Sequence, residues 1–189
     1  MPIPLPAHNS AFGDRHQGGA RPEFRFYFDI VCPYAYLAST QVEGFAERLG
    51  ARIDHRPILL GGVLKSLAST PAAGPPAKQA MTRVDVARWA QHFGVELHFP
   101  AEHPRRTVEA MRLLTWAPRL SIPSLMAALY RAYWVEGRDI ADVEVLLDIA
   151  ESVGLLRSEA QKGLLSPAVS QELRRQTDAA IADGVFGVP

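Results

Sequence analysis

The stretch Asp29-Ile30-Val31-Cys32-Pro33-Tyr34-Ala35-Tyr36 constrains this chain more than any other. Before it, Phe24, Phe26 and Phe28 alternate with Arg25 and Tyr27, the period of a half-buried strand. After it, Ala38, Val42, Phe45 and Leu49 recur at spacings of four, three and four, which predicts one continuous helix with those four residues inward. Cys32 therefore stands where a strand hands over to a helix. Pro33 suits the first helical position, where a missing N–H costs nothing. The chain's only cysteine thus lies at a helix N-terminus, where unpaired N–H groups and the helix dipole favour an anion such as a thiolate.

A chain of 189 residues, 48% apolar and 21% charged, is long enough for one domain with a sizeable core, or one domain carrying an insertion. Its net charge of zero offers no bulk attraction for nucleic acid or an anionic membrane. A single cysteine excludes an internal disulfide and any CxxC redox pair, and fits a reducing compartment. No apolar run approaches the roughly 20 residues of a membrane span. Residues 1–22 carry proline and glycine without a hydrophobic stretch, unlike a secretory signal, and read as a mobile tail. Cytoplasmic residence is the expectation. The histidines form no metal pattern: His98 and His103 are close in sequence, but no second cysteine or carboxylate cluster completes a site.

Along the chain, Gly50 reads as a helix stop and residues 51–58 as a second strand, with Ile53 and His55 on one face. Strand, helix and strand in this order form a right-handed βαβ unit with parallel strands. A turn and short helical piece follow over 59–65, then a loop over 69–77. Helices are expected over 78–93, from Pro104 to before Pro118, from Ser121 with Ile122, Leu125, Leu129 and Tyr133 on a face, and over 142–153 with Val143, Leu146, Leu147 and Ala150 inward. Ser166-Pro167 is a good N-cap and first position for a last helix, closed by Gly184. Trp89, Trp116 and Trp134 fall in helical patterns and read as packing residues.

Several blocks together resemble a known family. They are Asp29-x-x-Cys32-Pro33-Tyr34-Ala35-Tyr36, Arg56-Pro57-x-Leu59-Leu60-Gly61-Gly62-x-x-Lys65, Ala110-Met111-Arg112, Glu136-Gly137-Arg138-Asp139-Ile140, and the stretch from Leu173 to the closing Gly-Val-Phe-Gly-Val-Pro. In this order they resemble the 2-hydroxychromene-2-carboxylate isomerases and kappa-class glutathione transferases, of the DsbA-like branch of the thioredoxin superfamily. The resemblance implies an α/β fold: a thioredoxin-like βαβ unit over 23–189 with a helical subdomain inserted at about 78–182. It also implies glutathione as cofactor, a small aromatic carboxylate as substrate, and a homodimer as a common assembly. Cys32 matches the catalytic position, Lys65 a lysine that contacts glutathione, and Val188 and Pro189 the cis-proline segment that pairs with its cysteinyl backbone. Tyr34 is a candidate for the substrate pocket as well as for the core. Arg105 and Arg106 could meet a substrate carboxylate, Arg106 being the named candidate, and the plainer reading is an ordinary exposed pair. In the isomerases glutathione sulfur adds to the conjugated substrate, a bond rotates, and sulfur leaves, giving trans-o-hydroxybenzylidenepyruvate.

The chain departs from the family pattern in four places. Cys32 replaces the usual serine, Arg106 an asparagine, and Ala68-Ser69 a Gly-Asn pair. The β-hairpin and final helix that follow the cis-proline in the family have no counterpart after Pro189. Three functions follow as expectations. The first is a glutathione-dependent isomerase of aromatic-compound catabolism. The second is a kappa-like transferase or single-thiol oxidoreductase, in which Cys32 would have a depressed pKa. The third is a truncated, non-catalytic thioredoxin-like interaction module with an exposed sheet edge. Alanine at position 35 leaves Cys32 without a resolving partner.

Overall fold

The computed structural model describes residues 21–68 and 75–189. The expected tail lies almost wholly outside the described residues, as does most of the loop expected at 69–77. Strand β1 (Glu23–Phe28) pairs in parallel with β2 (Arg52–Pro57), in register from Glu23 opposite Arg52 to Phe28 opposite Pro57. The alternation works as anticipated. Phe26 and Phe28 stack on one face at 5.7 Å between ring centroids, and both meet His55 edge to face. On the other face, the Tyr27 hydroxyl donates to Asp183 near the C-terminal end of the chain. Asp54, buried on β2, is compensated by Arg56 and Arg119.

The helix expected after Pro33 is two helices, α1 (Pro33–Ser39) and α2 (Val42–Leu49). Ser39 and Thr40 side chains bond back to the carbonyls of Tyr36 and Leu37, and the chain changes direction there. The change of axis shifts the buried stripe to Val42 and Ala46, leaving Phe45 and Leu49 exposed, contrary to expectation. After β2 come α3 (Leu60–Ser66), α4 (Pro76–Phe93), α5 (Val108–Trp116), a 3-10 turn (Arg119–Ser121), and α6 (Ile122–Trp134). The chain continues with α7 (Val143–Ser152), α8 (Arg157–Leu165) and α9 (Pro167–Ala182). Ser166 caps α9, its hydroxyl accepting the Val169 N–H, as its sequence signals.

Three further expectations are corrected. Helix α5 starts at Val108 rather than Pro104, because residues before it are held elsewhere: the Arg105 N–H is donated to the Tyr133 hydroxyl. Val143 is exposed at the first turn of α7. Trp89 is largely exposed, stacked on its helical neighbour Phe93, whereas Trp134 is fully buried. Helix α8 is absent from the sequence-based description because it buries only Ala160, Gly163 and Leu164, which leave little apolar periodicity.

One main core joins the sheet's phenylalanine face to α5, α6 and α7. Helix α8 closes on α5 through Gly163: a Cβ there would lie 2.3 Å from Cγ of Trp116, at the base of the indole rather than at a flexible tip. Gly163→Ala is therefore expected to destabilise the fold by about 1–3 kcal/mol through overpacking. A shift of the urea midpoint measures it, and an unchanged midpoint would show that α8 can move away freely.

Candidate active site

Chain direction places Cys32. As β1 ends, the carbonyls of Asp29 and Ile30 leave the sheet and are met from α6, by the Tyr130 hydroxyl at 3.4 Å and the Trp134 indole N–H at 2.9 Å. The Cys32 N–H donates to the Asp29 carbonyl, and the Cys32 carbonyl accepts the Tyr36 N–H, so Cys32 is the extended N-cap of α1 with Pro33 first in the helix. The residue is 7% exposed, its thiol donates to the Val188 carbonyl at 3.3 Å, and the Val188–Pro189 bond is cis. The two chain regions that the sequence singles out thus meet.

The electrostatics of Cys32 differ from the expectation. Backbone N–H groups of Ala35 and Tyr34 pull its pKa down, as a helix N-terminus should, but burial outweighs them and pushes it up to about 11, with the Asp29 charge adding to the rise. Geometry agrees: a thiol has a proton for the Val188 carbonyl, whereas a thiolate would face that oxygen unfavourably.

Beneath the turn, Asp29 is fully enclosed. Its carboxylate accepts N–H groups of Leu60 at 2.9 Å and Val31 at 3.3 Å, and the Thr107 hydroxyl also bonds it. It therefore ties the end of β1 to the starts of α3 and α5. Burial raises its pKa and these hydrogen bonds oppose the rise. On the α9 side, Thr177 accepts the Leu59 N–H, and a Cβ on Gly62 would come within 3.1 Å of its methyl group. That glycine lets α3 approach α9 closely.

A cavity of about 580 Å³ opens beside Cys32, walled by the starts of α1 and α3, by α4, and by the segment from Phe99 to Val108. Tyr34 and Arg106 both line it. The Tyr34 hydroxyl donates to Asp85 on α4 at 2.7 Å, and burial, then that carboxylate, push its pKa up to about 12. Arg106 holds Glu109 through two N–H groups. Lys65 sits exposed in the last turn of α3 and is not part of the cavity wall. Arg105, weighed with Arg106 from the sequence, lines the cavity too, whereas nothing in the sequence marked Asp29 as a buried hub or Arg83 and His103 as cavity residues. Proximity in sequence gave no signal for the last two, because Arg83 on α4 meets Phe99 in the α4–α5 connection and His103 meets Tyr133 on α6. Burial, then the charge of Arg83, lower the pKa of His103 to about 4.

A broader cleft of about 860 Å³ runs between α2, β2 and the start of α6, away from Cys32. Among the described residues no group of three or more His, Cys, Asp or Glu side chains is arranged to hold a metal ion, and no helix is long and apolar enough to cross a membrane.

With this geometry in view, comparison with known proteins is informative. A family model described as the DSBA-like thioredoxin domain matches residues 24–189. A 2-hydroxychromene-2-carboxylate isomerase of Pseudomonas putida is 30% identical over 168 residues, covering 87% of this chain and 81% of the relative. Human glutathione S-transferase kappa 1 is 27% identical over 176 residues, covering 86% and 77%. A solved structure of 2-hydroxychromene-2-carboxylate isomerase superposes with a TM-score of 0.77 at 29% identity, covering 88% of this chain and 83% of that one. The βαβ start, the N-capping cysteine and the closing Val-Pro segment all lie within the matched span, and the chain belongs to the DsbA-like thioredoxin domain family.

Proposed function

We propose that this protein is a glutathione-dependent isomerase that interconverts 2-hydroxychromene-2-carboxylate and trans-o-hydroxybenzylidenepyruvate, with Cys32 acting as a protonated hydrogen-bond donor. One observation carries the reading: the Cys32 thiol donates to the Val188 carbonyl at the edge of the cavity. The same thiol proton can turn to a ligand sulfur, as a serine hydroxyl would. The residues fit the sulfur-bearing end of glutathione, since a thiol donor, a helix N-terminus and the Val188 backbone converge there. When bound, glutathione supplies a thiol that adds reversibly to a conjugated double bond and frees it to rotate. In this reading Val188 and Pro189 hold its cysteinyl backbone and Lys65 meets it at the exposed end of α3. Tyr34 forms a wall for the aromatic carboxylate, and Arg106, held by Glu109, lines the same cavity.

Hydrogen bonds to charged groups contribute about 1.5–3 kcal/mol, so Cys32→Ala is expected to slow glutathione-dependent isomerisation by roughly ten- to a hundredfold. Cys32→Ser keeps a donor and should stay within about threefold of the parent rate. A rate independent of glutathione, or one unaffected by Cys32→Ala, would reject the reading.

The kappa-class relative favours a second reading, a glutathione transferase in which Cys32 keeps the same role. The two differ in product: an isomer has the mass of its substrate, and a conjugate retains the sulfur. Mass spectrometry of the reaction mixture separates them. A single-thiol oxidoreductase is disfavoured by the raised pKa of Cys32.

A further inference from the structure

Tyr133, buried on α6, fixes the hydrogen-bonding state of a cavity residue. Its hydroxyl accepts the Arg105 backbone N–H at 3.2 Å and lies 2.9 Å from His103 Nδ1. A hydroxyl carries one proton, and among the described residues Nδ1 is the one acceptor within reach of it, so that proton goes to Nδ1 while the oxygen accepts from Arg105. His103 is therefore the tautomer with hydrogen on Nε2, the ring nitrogen left for the cavity that His103 lines. The ring is held at 5.4 Å from Phe99 and 5.1 Å from Trp134, centroid to centroid. With a pKa of about 4 it stays neutral at pH 7 and remains an N–H donor.

Beside it lies an uncommitted guanidinium. Arg105 is shared between Asp139 and Glu102, and Arg106 is taken by Glu109. Among the described residues Arg83 has no carboxylate partner; it rests over the Phe99 ring, 4.4 Å from its centroid. Arg83 and His103 thus both touch Phe99 and both line the cavity next to Cys32. A planar charged donor and a neutral N–H, set on an aromatic wall, match a carboxylate attached to a flat conjugated system.

We infer that Arg83 and His103 form a carboxylate-recognition pair, seating the acid group of a planar conjugated ligand against Phe99 and so setting the specificity of the cavity. The inference takes its substrate class from the function proposed above, yet the pair can be tested without glutathione. The probes are trans-cinnamate and uncharged trans-cinnamamide, titrated into the full chain at pH 7 and followed by NMR shifts, with glutathione titrated separately. Cinnamate is expected to bind at least about tenfold more tightly than the amide. Arg83→Gln, on an exposed side chain, should reduce that preference to within about twofold. His103→Leu should weaken cinnamate about fivefold, and His103→Gln, which restores an N–H donor, should recover most of it, with cinnamamide affinity unchanged. Equal affinity for the two probes, no binding of cinnamate, a preference that survives Arg83→Gln, or equal losses in both His103 variants would each overturn the pair. Cinnamate preference without glutathione binding would instead reject the proposed function and leave the pair standing.

Discussion

Replacing Trp134 by alanine is expected to lower the unfolding free energy by about 3–5 kcal/mol, the range for a large buried aromatic. The side chain is fully buried. Its ring stacks on Tyr36 at 6.4 Å and 4° between planes, and meets Phe99 and Tyr133 edge to face. Its indole N–H also satisfies the Ile30 carbonyl, which has left the sheet on the way to Cys32. Truncation therefore opens a cavity and orphans a buried acceptor in the same place. Against a total stability of roughly 5–15 kcal/mol for a domain, the loss is large. Trp134→Phe separates the two effects: it keeps most of the packing and loses the hydrogen bond, at a cost of about 1–3 kcal/mol. Urea unfolding of both variants measures the difference. An alanine variant that loses less than about 1 kcal/mol would show that the Asp29–Cys32 turn is not held from α6.

That dependence explains what the sequence disclosed about the site. The strand-to-helix turn was legible because it is local: alternating phenylalanines, a lone cysteine and Pro33 follow one another in the chain. The stripe of Ile122, Leu125, Leu129 and Tyr133 was legible for the same reason, and all four are buried. The meeting of Cys32 with Val188 is non-local and came from family resemblance alone. What stayed hidden depends on partners far along the chain. Asp29 looks like a turn residue until Leu60 and Thr107 close on it. His103 looks like one of two neighbouring histidines until Tyr133 sets its tautomer. The break at Ser39–Thr40 was hidden differently: apolar spacing ran through it, while two hydroxyls bonding back to the preceding turn redirected the helix.

At pH 8.5, iodoacetamide is expected to alkylate native Cys32 at least about a hundredfold more slowly than the unfolded chain. An unfolded cysteine has a pKa near 8.5 and is about half thiolate at that pH. With its native pKa pushed up to about 11, Cys32 is almost entirely thiol, and burial slows the reagent further. The direction also fixes a stability trend. Between the unfolded and native pKa values the native state holds more protons, so stability falls as pH rises through about 8.5 to 11. The thiol contributes no such penalty at pH 7, and the full loss by pH 11 is on the order of 3 kcal/mol. Tyrosines titrate in the same region, so the informative quantity is the difference between the parent and Cys32→Ser, which lacks the thiol and should lose this part of the slope. Two opposing forces meet at this residue: the N–H groups at the start of α1 favour a thiolate, and enclosure by the core with Asp29 nearby favours a thiol. If the helix terminus prevailed, native Cys32 would react faster than the unfolded chain near neutral pH and stability would rise with pH instead. That reversal would move Cys32 from hydrogen-bond donor to nucleophile, and with it the reading of the cavity from isomerisation toward thiol exchange.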